Sequence, residues 1–170
     1  MKSLNPFYVV LMGVILTGII HSTPIRVGMT AALSGPSEKI GQSLLKGIEP
    51  TIEYINEEGG INGQPLELVL YDDSYDPKQT VLNTSRLLEE EQVDLLFSFV
   101  GTSTTEESLP LLSKHNKLLF FPFTGANFLY EHPNNRFLVN EGASYWQETS
   151  TIVDFFVTQE LKKIAVYYQH

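Results

Sequence analysis

Gly101-Thr102-Ser103-Thr104-Thr105 places one glycine and four hydroxyls side by side, and Phe123-Thr124-Gly125-Ala126 repeats the theme further along the chain. Hydroxyls at the start of a helix can donate to a carboxylate together with the first-turn amides, which lack internal partners and carry partial positive charge. The same hydroxyls are also common helix caps, so the first stretch supports both uses. In the second, Thr124 can donate, Gly125 permits close backbone approach and Phe123 offers an apolar wall. An ordinary turn would explain it too. Two donor loops facing one crevice would make an anion-binding wall.

Other chemistries find no support. Neither G-x-G-x-x-G nor G-x-x-x-x-G-K-[ST] occurs, so both nucleotide loops are missing. The Gly101–Thr105 stretch lacks the second glycine of a hydrolase nucleophile elbow. His21, His115, His132 and His170 show no metal-ligand spacing. Asp72, Ser74 and Asp76 imitate the opening of a calcium loop, but Pro77 stands where glycine is required. The expected protein is a binder without metal, cofactor or catalytic residues.

Alternating elements must position these loops. Ile25–Ala32 reads as a first strand, Ser37–Glu58 as a helix with Ile40, Leu44, Leu45, Ile48, Ile52 and Ile55 on one face, and Leu66–Tyr71 as a second strand. Asp76 followed by Pro77 should cap and open the next helix, which runs to about Glu91. Val93–Val100 is a third strand, Gly101–Thr104 a turn, Thr105–His115 a helix and Leu118–Phe121 a fourth strand. A helical turn at Ala126–Leu129, a short strand at Phe137–Val139, a helix over Ser144–Glu160 and a sixth strand from Lys163 to Tyr168 complete the pattern. Strand–helix–strand units of this length imply an α/β fold, a parallel sheet with helices on both faces. Ligands of such sheets sit beyond the carboxyl ends of the strands.

The amino terminus has a different character. Lys2 precedes an apolar run from Phe7 to Ile20 and the small residue Ser22, the order of a cleaved signal peptide over residues 1–22. The run is shorter than the roughly 18–20 residues of a membrane span, although an uncleaved anchor is the alternative. Export to the periplasm would fit a chain with no cysteine, which must be held by burial alone. A formal charge of −9 argues against a nucleic-acid partner.

From Ile25 onward the sequence resembles the first lobe of the periplasmic Leu/Ile/Val-binding proteins, the type I solute-binding proteins of ABC transporters. Four segments carry the resemblance: Leu33-Ser34-Gly35-Pro36, Ile55-Asn56-Glu57-Glu58-Gly59-Gly60-Ile61-Asn62-Gly63, Asp72-Asp73-Ser74-Tyr75-Asp76-Pro77-Lys78-Gln79 and Pro122-Phe123-Thr124-Gly125-Ala126. It implies that residues 23–170 form an N-terminal ligand-binding lobe whose sixth strand enters a second lobe outside this sequence. It also implies an amino acid of the branched-chain type, or a similar small carboxylate, held by Ser103, Thr104, Phe123 through its carbonyl, and Thr124 or Gly125. Tyr145 falls at the cleft wall. Where family members often stack an aromatic over the ligand, this sequence has Ile40, and Tyr75 stands where some carry a bracing cysteine. The implied partner is a membrane permease of an ABC importer. A ligand-sensing ectodomain of a membrane-anchored receptor is the other function compatible with this fold.

Overall fold

The computed structural model describes residues 22–161 and 163–167. The apolar segment Phe7–Ile20 and the far end of the expected sixth strand, Tyr168, lie outside them. Ile25–Ala31 (β1), Glu38–Glu57 (α1), Leu66–Asp72 (β2), Pro77–Glu89 (α2), Leu95–Phe97 (β3), Thr102–His115 (α3), Leu119–Phe120 (β4), Phe128–Glu131 (α4), Leu138–Val139 (β5) and Tyr145–Thr158 (α5) follow in chain order. The strands form one sheet in the order β2-β1-β3-β4-β5, with every pairing parallel.

Both sheet faces are apolar because both are covered by helices, as buried parallel strands require. On one face, Leu87 and Leu88 of α2 and Leu109 and Leu112 of α3 meet Leu96, Phe99 and Leu119. Gly28 of β1 points to this side; a Cβ there would lie 2.9 Å from Val93, so its lack of a side chain is what lets the layer close. On the other face, Leu44, Leu45 and Ile48 of α1 pack over Met29, Ala31, Leu68 and Leu70. The α/β arrangement expected from the alternating pattern is therefore the one observed.

Local chemistry explains several boundaries. Asp76 caps α2 by accepting from the Lys78 amide at 2.9 Å, and Pro77 takes the first helical position. Ser144 and Gln147 form a reciprocal capping box at the start of α5. After α1 the chain must reverse into β2. Gly60, with φ of +73°, passes so near the carbonyl of Gln64 that a Cβ would sit 2.2 Å from that oxygen. Asn56 then closes the reversal: its side-chain amide donates to the Leu66 carbonyl at 2.9 Å while its oxygen accepts from the Leu66 amide at 2.7 Å. Asn56→Ala would strip both groups of their partner, and urea denaturation should show a loss of about 1–2 kcal/mol.

Three expectations need correction. The third strand was expected over Val93–Val100, but regular pairing stops at Phe97 because Ser98 takes a left-handed φ of +51°. Contact with the neighbouring strand resumes only as a bridge between Val100 and Phe123. The segment read as a turn, Gly101–Thr104, is already helical from Thr102, since Gly101 itself absorbs the change of direction with φ of +102°. Finally, Lys163–Tyr167 forms no strand. A strand exists only through a partner, and Val166 and Tyr167 lie fully exposed, beside no other described strand.

Candidate functional site

All five strands point the same way, so their carboxyl ends gather the connecting loops at one end of the sheet. The first two loops are tied together by Asp72. One of its carboxylate oxygens accepts from the amides of Leu33 at 2.9 Å and Ser74 at 2.8 Å, and the other from the Ser34 hydroxyl. Burial pushes its pKa up, but these hydrogen bonds outweigh that and hold the carboxyl below the usual range. Beside it, fully buried Asp73 accepts from Thr30 at 2.9 Å, Thr80 at 3.1 Å and the Tyr75 amide at 2.9 Å. The Asp72–Asp76 segment is thus a scaffold, in keeping with its reading as capping and loop structure. Among the described residues no group of three or more His, Asp or Glu is placed to hold a metal.

The tips of β3 and β4 are built differently. Gly101 occupies the cap position of α3 and has no side chain to offer, so the first-turn amides remain uncapped. The hydroxyls that follow do not cap them. Thr102 faces across to the β4 loop, where its hydroxyl meets that of Thr124 at 2.6 Å. Thr104 is turned inward, fully buried and bonded to the Val100 carbonyl. Ser103 is exposed at the second position of the helix. Of the two hydroxyls that the resemblance marks, Ser103 lies at the exposed tip and Thr104 does not, while Thr102, which the resemblance does not mark, faces the β4 loop. A helix starting at Thr102 sets this phase: residues 104 and 105 fall on its inner side.

The backbone welds the two tips together. The Phe123 amide donates to the Phe99 carbonyl at 2.8 Å, and the Phe123 carbonyl accepts from Gly101 at 3.3 Å. Part of that carbonyl's acceptor capacity is thus committed within the protein. The Phe123 side chain projects outward, about half exposed. Gly125 is required where it stands: a Cβ would lie 2.8 Å from the Tyr145 ring and 2.9 Å from the Ala143 carbonyl. Tyr145 returns the contact by donating its amide to the Gly125 carbonyl at 2.7 Å. Asn127 holds the next residue of α5, accepting from the Trp146 amide at 2.9 Å.

A cavity of about 380 Å³ opens beside these groups, walled by Phe121, Phe123, Thr124, Tyr130, Glu141 and Tyr145. Lysine and arginine are missing from its lining, so an anion there would rely on hydroxyls and amides rather than on ion pairing. Phe123, Thr124, Gly125 and Tyr145 come together around this cavity. Ser103 and Thr102 stand on the adjacent tip.

An open parallel sheet with uncapped amides and hydroxyls gathered at its strand tips is the architecture in which α/β domains hold ligands, beyond the carboxyl ends of the strands. A family model described as periplasmic binding protein matches residues 24–170, and the chain belongs to that family. The Leu/Ile/Val-binding protein of Citrobacter freundii is 26% identical over 151 residues, covering 89% of this chain and 41% of the relative. That of Escherichia coli is 30% identical over 102 residues, 60% of this chain and 28% of the relative. A solved structure described as a possible leucine/isoleucine/valine-binding protein from Rhodopirellula baltica superposes with a TM-score of 0.77 at 31% identity, covering 82% of this chain and 37% of that one. The chain spans well under half the length of these relatives. By name these relatives are Leu/Ile/Val-binding proteins.

Proposed function

We propose that this chain is the ligand-holding first lobe of an extracytoplasmic solute-binding protein that serves an ABC importer. Its ligand is a branched-chain amino acid or a similar small carboxylate, delivered to a membrane permease. The observation that carries this reading is the uncapped amino end of α3 beside the Thr102–Thr124 hydroxyl pair. A carboxylate seated there accepts from the free amides of α3 and from Thr102, Ser103 and Thr124. Phe123 and Tyr145 border the apolar part of the ligand, and Gly125 lets it approach the backbone. Closure by a second lobe, built from sequence after residue 170, would bury the ligand. Residues 1–22 act as the export leader. The names of the relatives, Leu/Ile/Val-binding proteins, support the ligand class.

The test is titration calorimetry with L-leucine on the protein expressed from its complete reading frame. A hydrogen bond to a charged group contributes roughly 1.5–3 kcal/mol. Thr102→Val and Thr124→Val should therefore each weaken binding by about 10- to 150-fold. Unchanged affinity in both variants would remove the site.

A further inference from the structure

The loop between β2 and α2 places two consecutive non-glycine residues in the left-handed region, Ser74 at φ +51° and Tyr75 at φ +65°. For L-residues each such placement costs roughly 1–2 kcal/mol, so the surroundings must hold it. The holding groups are in view. Buried Asp73 accepts from the Tyr75 amide, and its own carboxylate is fixed by Thr30 and Thr80. Asp72 accepts from the Ser74 amide. What this arrangement achieves is the placement of one ring. A methyl at Gly101 would lie 2.6 Å from Cε2 of Tyr75 and 2.8 Å from its Cζ and its hydroxyl oxygen. The Tyr75 ring therefore occupies the space of the side chain that residue 101 does not have.

We infer that Tyr75 is the positioning residue of the binding site: its ring, seated against Gly101, fixes the direction in which α3 leaves the sheet and so aims Thr102 and the free amides at the ligand. This inference rests on the site described under the proposed function. Three features converge on it. Gly101 is the hinge of the tip, since its φ of +102° turns the strand into the helix. Thr102 follows it directly, so any rotation about residue 101 swings the Thr102 hydroxyl away from Thr124. And the Tyr75 hydroxyl has no hydrogen-bond partner among the described residues, which leaves the flat ring as the working part. Tyr75 also packs against the buried cluster of Met29, Ala31 and Val100, so the ring is backed by the core under α1.

The experiment uses the protein expressed from its complete reading frame, titrated with L-leucine, with backbone amide hydrogen exchange followed without ligand. Tyr75→Phe keeps the ring and should match the parent in both measurements. Tyr75→Ala should weaken binding about tenfold through misplacement alone, and speed exchange at the Gly101 and Thr105 amides, which bond to Phe123 and Gly101. Tyr75→Leu, which retains apolar bulk, stands in if Tyr75→Ala does not fold. In a Thr102→Val background Tyr75→Ala should add clearly less than tenfold, because part of its effect runs through Thr102 and the rest through the α3 amides. Fully additive losses, or parental affinity and exchange in Tyr75→Ala while Thr102→Val is weakened, would overturn this inference alone. Parental affinity in Thr102→Val would overturn the site and this inference with it.

Discussion

Gly41→Ala should destabilise the protein by about 3 kcal/mol, among the largest losses expected from adding a single methyl group anywhere in the fold. Gly41 is buried in the first turns of α1, and a Cβ built there would lie 2.1 Å from the carbonyl oxygen and 2.8 Å from the carbonyl carbon of Ala32. Both atoms belong to backbone that cannot swing aside as a flexible side chain would. Relief requires α1 to lift from the sheet, which pulls Leu44, Leu45 and Ile48 off Met29 and Ala31. In a domain of this size the loss corresponds to a fall in melting temperature of about 6–12 °C. Gly47→Ala is the control, because no atom lies within 4 Å of a Cβ at that helix position. Helix propensity alone should make it neutral or slightly stabilising. Equal melting temperatures for the two variants would sink the close-approach argument.

The second large effect is at Asp73. Asp73→Ala leaves the Thr30 hydroxyl and the Tyr75 amide without their acceptor and the Thr80 hydroxyl with only the Asp76 carbonyl, and should cost about 3 kcal/mol. Asp73→Asn is the more informative change. Burial holds the Asp73 carboxyl above its ordinary pKa; the Tyr75, Thr30 and Thr80 hydrogen bonds offset this only in part, and the charge of Asp72 adds to it. The folded chain therefore holds this proton more tightly than the unfolded chain. Asp73's contribution to stability is full below the unfolded value and declines as pH rises through the folded one. Asparagine has no such dependence. Measured by urea denaturation, Asp73→Asn should gain on the parent between acidic and neutral pH. A constant difference, or a parent that gains on the variant, would count against a raised pKa.

Features that depend on neighbouring residues were legible in the sequence. Asp76-Pro77 announces a helix start because both residues act within one turn, and Ser144 with Gln147 does the same for α5. The parallel sheet followed from apolar runs separated by helical periods, and pairing bears that out. Features that depend on helix phase or on distant partners were hidden. Selecting the outward hydroxyl from Thr102, Ser103, Thr104 and Thr105 requires knowing the residue at which α3 begins. That boundary is set by the positive φ of Gly101, which the composition of the loop does not reveal. Thr105 illustrates the difficulty: its hydroxyl is buried and has no hydrogen-bond partner among the described residues, an outcome no local rule would select. The left-handed turn at Ser74 and Tyr75 was equally invisible, since neither residue type favours it and the Asp72 and Asp73 carboxylates sustain it.

The hydroxyl pair between Thr102 and Thr124 has a further consequence for the proposed site. Each hydroxyl has already given up its free rotation to the other, so the two tips are held in register before any ligand arrives. An incoming carboxylate need not freeze two independent rotors; it breaks one neutral contact and receives two donors that already face the same point. Such a site loses little side-chain entropy on filling. Under the proposed function, that suits capturing a solute from dilute solution.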